Sequence, residues 1–330
     1  TTTKELLTAV LSRRGRVHST QGNFNNHIGV PLTLLSAPDD AAFLVVEMGA
    51  NHMGEIAALC KVSMPTHGII TSIGTAHIEG FGSMENIRKA KSELYQSLRE
   101  SNGTAIYNDD NPVLCELVSG MTNGVPYSAP GGHTLSAAPA GDDLMLLKVK
   151  AVIDGKEHYF ETGLFGSYNI DNVRAAMAAG LLFGVPEDEI IDAISSYRPS
   201  NNRSQVTETG RNTVIRDAYN ANPSSMENAI ASFAALKADK KMVILGDMLE
   251  LGSESAHGHA AVIRQLRNIG DIRAVLVGPL FREAAADFPA TLFGTSEAAA
   301  EWLKSERPEG YAILVKGSRG IMLEKVFPLL

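Results

Sequence analysis

The feature that most constrains this chain is a rhythm that runs twice. Short, β-branched apolar runs alternate with stretches of helical character. FLVVEM (43–48), GIITSIG (68–74) and TAIYN (104–108) carry their apolar residues in runs rather than in alternation, as strands buried on both faces do. Between them, 54–62 and 85–100 read as helices, so the first part is expected to wind β-α units around a parallel sheet. The rhythm pauses at RPSNNR (198–203), a polar, proline-bearing stretch of the kind that separates domains, and then restarts. TVIRDAY (213–219), KMVILGD (241–247), RAVLVG (273–278) and YAILVKG (311–317) predict a second, smaller α/β domain of the doubly wound kind. One segment breaks the pattern. LMLLKVKAVIDGKEHYFETGLFG (144–166) has Asp154-Gly155 at its centre, a hairpin signal, and reads as an antiparallel flap on the first domain, followed by a helix over 171–184. At the amino end, Leu6, Leu7, Val10 and Leu11 fall at helical spacing and Gly15 closes the segment.

Composition narrows the function. A chain of 330 residues predicts two domains, and a net charge of −8 offers no basic field for nucleic acid or an anionic membrane. A local cationic pocket for a phosphorylated substrate is compatible with that balance. Cys60 and Cys115 have no paired spacing, which excludes a cysteine zinc site and a disulfide framework and fits a reducing compartment. No apolar run approaches a membrane span and no signal-peptide pattern is present, so the expected location is cytoplasmic.

The residues with chemical potential gather where predicted strands end. In VVEMGANHMGEI (45–56) a buried strand delivers Glu47 at its carboxyl end, where it either holds a metal or caps the next helix. IITSIGTAHIEGFGS (69–83) presents His77 and Glu79 from another strand end, as a ligand or as a structural histidine. In ENIRKAKSELYQSL (85–98), Lys89 and Lys91 are two apart and share no helix face; on pattern alone each is a solvated charge. Asn169 and Asn172, three apart at a helix start, either cap that helix or bond a flat heterocycle. Arg203, Asp217, Tyr219, Asn220 and Asn222 collect near the linker and the end of the next strand. GDMLELGSESAHGHA (246–260) and VKGSRG (315–320) each follow a strand directly, the latter placing Lys316, Ser318 and Arg319 as a carboxylate or phosphate cradle.

Taken in order, TTTKE (1–5), GNFNNHIGVP (22–31), EMGANHMGEI (47–56), GTAHIEGFGS (74–83), KAKSELY (89–95), YNIDN (168–172), RDAYNANP (216–223), GDMLELG (246–252) and VKGSRG (315–320) resemble the Mur ligases. GNFNNHIGVP, DAYNANP and GDMLELG point within them to the branch that adds D-alanyl-D-alanine. The resemblance implies a central P-loop-type parallel-sheet ATPase domain over 1–199 and a Rossmann-like carboxyl-terminal domain over 200–330. It implies an ATP- and Mg2+-dependent ligase of cytoplasmic peptidoglycan synthesis, joining UDP-MurNAc-tripeptide to D-alanyl-D-alanine through an acyl phosphate and working as a monomer. Thr1 resembles the threonine of the G-K-T phosphate loop, a magnesium ligand. Glu47 resembles a second ligand of that ion, and His77 the holder of a second magnesium. Lys91 matches the lysine that these ligases carbamylate, which would turn a cation into a carboxylate-like ligand. Asn169 and Asn172 match the adenine side, although Tyr168 stands where many relatives have His. Arg203 and Asp217 match the groups at the phosphates and ribose, with Asn202 in place of the more usual Gly. Asn25 and Asn26 are expected to face the UDP-sugar, and Asn222, Lys316, Ser318 and Arg319 the incoming dipeptide. The family's G-x-x-G-K and uridine-binding domain do not precede Thr1, so the chain is expected to be a piece of the enzyme and to turn over weakly if at all. The competing readings are a folylpolyglutamate synthase-like or other ligase of the superfamily, and a non-catalytic nucleotide-binding scaffold.

Overall fold

The computed structural model describes residues 1–74, 78–129, 135–141 and 145–330, leaving aside the side chains of 78 and 79. In the first half, strands Val17–Ser19 and Phe43–Val45 pair in parallel, and His67–Ile69, Thr104–Asn108 and Gly124–Tyr127 form a second parallel sheet. The expected single sheet is therefore two. The runs 43–48 and 68–74 leave strand geometry early, so their last residues form the loops that carry Glu47 and Ser72. Between the two sheets lies a cavity of about 650 Å³, lined by the backbones of both facing strands and by Leu7, Leu94 and Phe183.

Helix Thr2–Leu11 buries Leu6 and Val10 against helix Ile170–Leu182, whose residues 173–180 are all buried. The two backbones approach closely because residue 180 is glycine; a Cβ there would stand 2.6 Å from Val10 Cγ1. The flap forms as read. Lys148–Ile153 pairs with Lys156–Glu161 through a turn in which Asp154 (φ 48°) and Gly155 (φ 83°) are both left-handed, the geometry that matches strand twist. A third flap strand, Leu135–Pro139, pairs along Lys148–Ile153. Its sequence, LSAAP, lacks the β-branched signal and is held in place by its neighbour.

The second half is a six-stranded sheet in the order Thr291–Phe293, Arg273–Val277, Lys241–Gly246, Ala312–Lys316, Thr213–Asp217, Gln205–Glu208. The first five are parallel, and Gln205–Glu208 is an antiparallel edge. Strands 241–246 and 312–316 are almost wholly buried, which is why they read as continuous apolar runs. Phe165, from the first half, is fully buried in this half's core with Met226, Phe233 and Leu314. Among the described residues, no helix is long and apolar enough to cross a membrane.

Candidate active site

Glu47 lies just past the strand Phe43–Val45. Its N–H donates to Thr20 Oγ1 at 2.9 Å, and Thr20 is fully buried. The Thr1 hydroxyl donates to Glu47 Oε1 at 2.8 Å, and Asn25 Nδ2 stands 3.4 Å from the same oxygen. The other carboxylate oxygen, Oε2, is buried and has no hydrogen-bond partner. Burial works against a charge on this carboxyl, while the Thr1 hydroxyl, Arg203 and Lys4 favour it. Gly49 lets the two loops meet: its N–H donates to Asn25 O at 2.7 Å, and a Cβ on it would stand 2.9 Å from Asn25 Nδ2.

Lys91 projects from helix Met84–Glu100 into the cavity that Thr1 and Glu47 also line. It is thus not a solvated surface lysine. Its Nζ donates to Ser72 O at 2.8 Å, and burial holds its ammonium below the usual lysine value. His77 lies outside the described residues. Among those described, no three His, Cys, Asp or Glu side chains cluster as a metal-binding group. Thr1 and Glu47 nonetheless offer oxygen donors of the kind Mg2+ takes, one of them the orphaned Oε2.

Facing them, the stretch 201–204 carries Arg203 between two left-handed residues, Asn202 (φ 55°) and Ser204 (φ 47°). Ser204 is fixed on every side. Its O accepts from Phe165 N–H at 2.9 Å, its N–H donates to Asp217 Oδ1 at 3.1 Å, and its hydroxyl meets Tyr168 and Asn169, both at 3.0 Å. Asn169, 1% exposed, also donates to Phe165 O at 2.8 Å, while its Oδ1 accepts from Asn172 at 2.8 Å. The Thr3 hydroxyl donates to Asn172 Oδ1 at 2.5 Å. Both amide ends of Asn169 are thereby engaged inside the protein, where they brace the linker. Asn172 keeps one N–H for a ligand. Asp217 likewise has a partner, since Lys316 Nζ, 2% exposed as a residue, lies 2.6 Å from its Oδ2. Arg203 differs: its Nε is buried with no partner, and the guanidinium rests 3.9 Å from the centroid of Tyr219.

Several predicted binding residues do structural work here. Asn26 Oδ1 accepts from Gly29 N–H at 2.9 Å, at the start of helix Gly29–Leu35. Asn222 caps helix Pro223–Ala234 in a reciprocal box with Ser225. The Ser318 hydroxyl accepts from Leu249 N–H at 2.9 Å and donates to Ala221 O at 3.4 Å, tying three strand-end loops together. Arg319 stays exposed, with Nη1 3.4 Å from the Tyr219 hydroxyl. Sequence reasoning gave no role to Thr20, Ser204 or Lys4, whose Nζ reaches Thr20 O at 2.6 Å. For Thr20 and Lys4 the available signal was their place beside a strand end and a helix start; Ser204 had none, because its partners come from 36 and 13 residues away.

These features define a two-part α/β protein in which a strand-end loop carries a buried carboxylate oxygen without a partner and the joining stretch a buried guanidinium nitrogen without one. The Mur ligase middle domain model matches residues 1–180, and the Mur ligase glutamate ligase domain model matches 202–319. The UDP-N-acetylmuramoyl-tripeptide–D-alanyl-D-alanine ligase of Bacillus subtilis is 33% identical, covering 99% of this chain and 72% of that protein. The Escherichia coli enzyme of the same name is 32% identical over 99% of this chain and 73% of its own. Among solved structures, MurF from Acinetobacter baumannii superimposes with a TM-score of 0.88 at 30% identity, covering 99% of this chain and 73% of that one. MurF from Thermotoga maritima, in complex with ADP, gives 0.88 at 26% identity, over 99% and 76%. The chain belongs to the Mur ligase family.

Proposed function

We propose that this chain carries the nucleotide- and acceptor-facing parts of the ligase that joins D-alanyl-D-alanine to UDP-MurNAc-tripeptide in peptidoglycan synthesis. The observation that carries the reading is that Glu47 Oε2 and Arg203 Nε, each in a stretch matching the family, are both buried without a partner. A buried carboxylate oxygen and a buried guanidinium N–H each cost free energy when left unpaired, and a cation–phosphate ligand would satisfy both. The names of the relatives supply the substrate class.

In this reading a carboxylate oxygen of the tripeptide attacks the γ-phosphorus of ATP, the bond to ADP breaks, and an acyl phosphate forms. The amine of D-alanyl-D-alanine then attacks the acyl carbon, phosphate leaves and the nitrogen loses a proton. This chain's residues contribute placement and charge. Thr1 and Glu47 would hold Mg2+, which when bound neutralises phosphate charge. Arg203 faces the phosphates, Asn172 offers its remaining N–H on the nucleotide side, and Arg319 lies toward the acceptor. Lys91, whose ammonium burial disfavours, would as the free amine add CO2, giving a carbamate and a proton; as a carbamate it would join His77 around a second cation. The predicted adenine contact of Asn169 and the dipeptide contacts of Asn222 and Ser318 are not retained in this reading.

The test uses the gene product that carries this chain. Phosphate release should require ATP, UDP-MurNAc-tripeptide and D-alanyl-D-alanine together, with the pentapeptide product seen by mass spectrometry. Glu47→Gln should remove it. Turnover with a single amino acid in place of the dipeptide would overturn the assignment. Incubation with carbon-13 bicarbonate should give a carbamate resonance that Lys91→Ala abolishes.

A further inference from the structure

Two guanidinium groups from separate loops rest on the ring of Tyr219. Arg203, from the stretch joining the two halves, lies 3.9 Å from the ring centroid, and Arg319, from the loop after strand Ala312–Lys316, lies 5.3 Å from it. Arg319 also reaches the hydroxyl, with Nη1 at 3.4 Å. Like charges brought to one ring repel each other, and the ring's negative face offsets that repulsion only in part. Arg203 is also presented at a conformational cost, because Ser204 beside it is left-handed, a backbone that Asn202 on its other side tolerates better. The four contacts on Ser204 keep that backbone in place. An arrangement that gathers cations, strains the chain and leaves Arg203 Nε unpartnered is arranged for an anion.

We propose that Tyr219 is a positioning residue, whose ring and hydroxyl set Arg203 and Arg319 together so that both guanidiniums close on the phosphoryl group passing from ATP to the substrate carboxylate. This rests on the ligase reading above. It gives Tyr219 a role distinct from packing, and it draws Arg319 from the acceptor side to the transferring group.

The test uses the gene product carrying Tyr219→Leu, Tyr219→Phe, Arg203→Gln and the double variant Tyr219→Leu/Arg203→Gln. Tyr219→Leu should lower kcat roughly tenfold, since a cation–ring contact is of the order of one such factor, while the KM for D-alanyl-D-alanine moves less than about threefold. Tyr219→Phe should restore most of the loss, because the ring remains. The double variant should lose less than the sum of the two single losses, because part of the Tyr219 effect acts through Arg203 and the rest through Arg319. Equal damage by Leu and Phe, or additive losses in the double variant, would overturn the proposal. The same cycle read by calorimetric ADP affinity does not depend on turnover. If the unmutated gene product fails to ligate, the ligase reading falls, while the binding cycle still decides whether Tyr219 places Arg203.

Discussion

At the scale of single residues, much of the site is a matter of who holds whom. Position 202 shows how a departure from the family pattern can be physically neutral. The backbone there is left-handed at φ 55°, and Asn is the side chain that tolerates this best after Gly. Asn202→Gly should therefore change stability by less than about 0.5 kcal/mol, steric relief being offset by the freer unfolded chain. Asn202→Ala should lose about 1 kcal/mol in urea unfolding, since Ala has no such tolerance. Equal stability of the two variants would show that the left-handed backbone is not the constraint. The same scale explains which site residues were legible in the sequence. Glu47 stands at a strand end and Arg203 near the linker, whereas Lys91 was singled out only by resemblance to the family, its pattern alone reading as a solvated charge; the fold brings Glu47 and Lys91 to one cavity. Asn169, Asn222, Asp217 and Ser318 occupy equally suggestive positions. Their partners are backbone groups and side chains set by tertiary contacts, which local spacing does not reveal.

At the scale of elements, periodicity found the longer helices Thr2–Leu11, Met84–Glu100 and Ile170–Leu182 and the long buried strands, because burial on both faces leaves a continuous apolar signature. It missed the short strands Val17–Ser19, Gly124–Tyr127, Gln205–Glu208 and Thr291–Phe293 as well as Leu135–Pro139, whose small residues gain strand geometry only by pairing, and it could not see that the first sheet is divided. Helix packing is a sharper case. Gly180 sits inside helix Ile170–Leu182, where a change to Ala would ordinarily gain about 1 kcal/mol. Here the new Cβ would stand 2.6 Å from Val10 Cγ1 and 2.9 Å from two carbons of Ile190. Overpacking of that kind costs about 1–3 kcal/mol, so the clash outweighs propensity. Gly180→Ala should lower stability by about 0–2 kcal/mol, and adding Val10→Ala should make the two losses less than additive. A stabilised single variant would mean that the helices are free to move apart.

At the scale of the whole molecule, the two halves are joined by more than a strand of chain. Phe165 leaves the first half and is fully buried in the core of the second, while Tyr168 packs beside it and bonds Ser204. Leu164 bridges to Gln205, and the Phe165 N–H donates to Ser204 O at 2.9 Å. The residues that place Arg203 are thus the same residues that weld the halves. A site built this way gains its geometry from docking, and it should lose geometry and cooperativity together. Calorimetry should show one unfolding transition for the intact protein. Phe165→Ala removes a large buried ring, a change worth about 3–5 kcal/mol, and does so at the joint itself. It should split the transition in two, with the half containing 205–330 unfolding first because its core has lost a member. Phe165→Leu, which keeps most of the volume, should lower the midpoint by a few degrees and leave a single transition. One transition surviving Phe165→Ala would show that Phe165 is not what couples the halves; two well-separated transitions in the unmutated protein would show that the halves fold independently. The placement of Arg203 would then depend on ligand closure rather than on the resting fold.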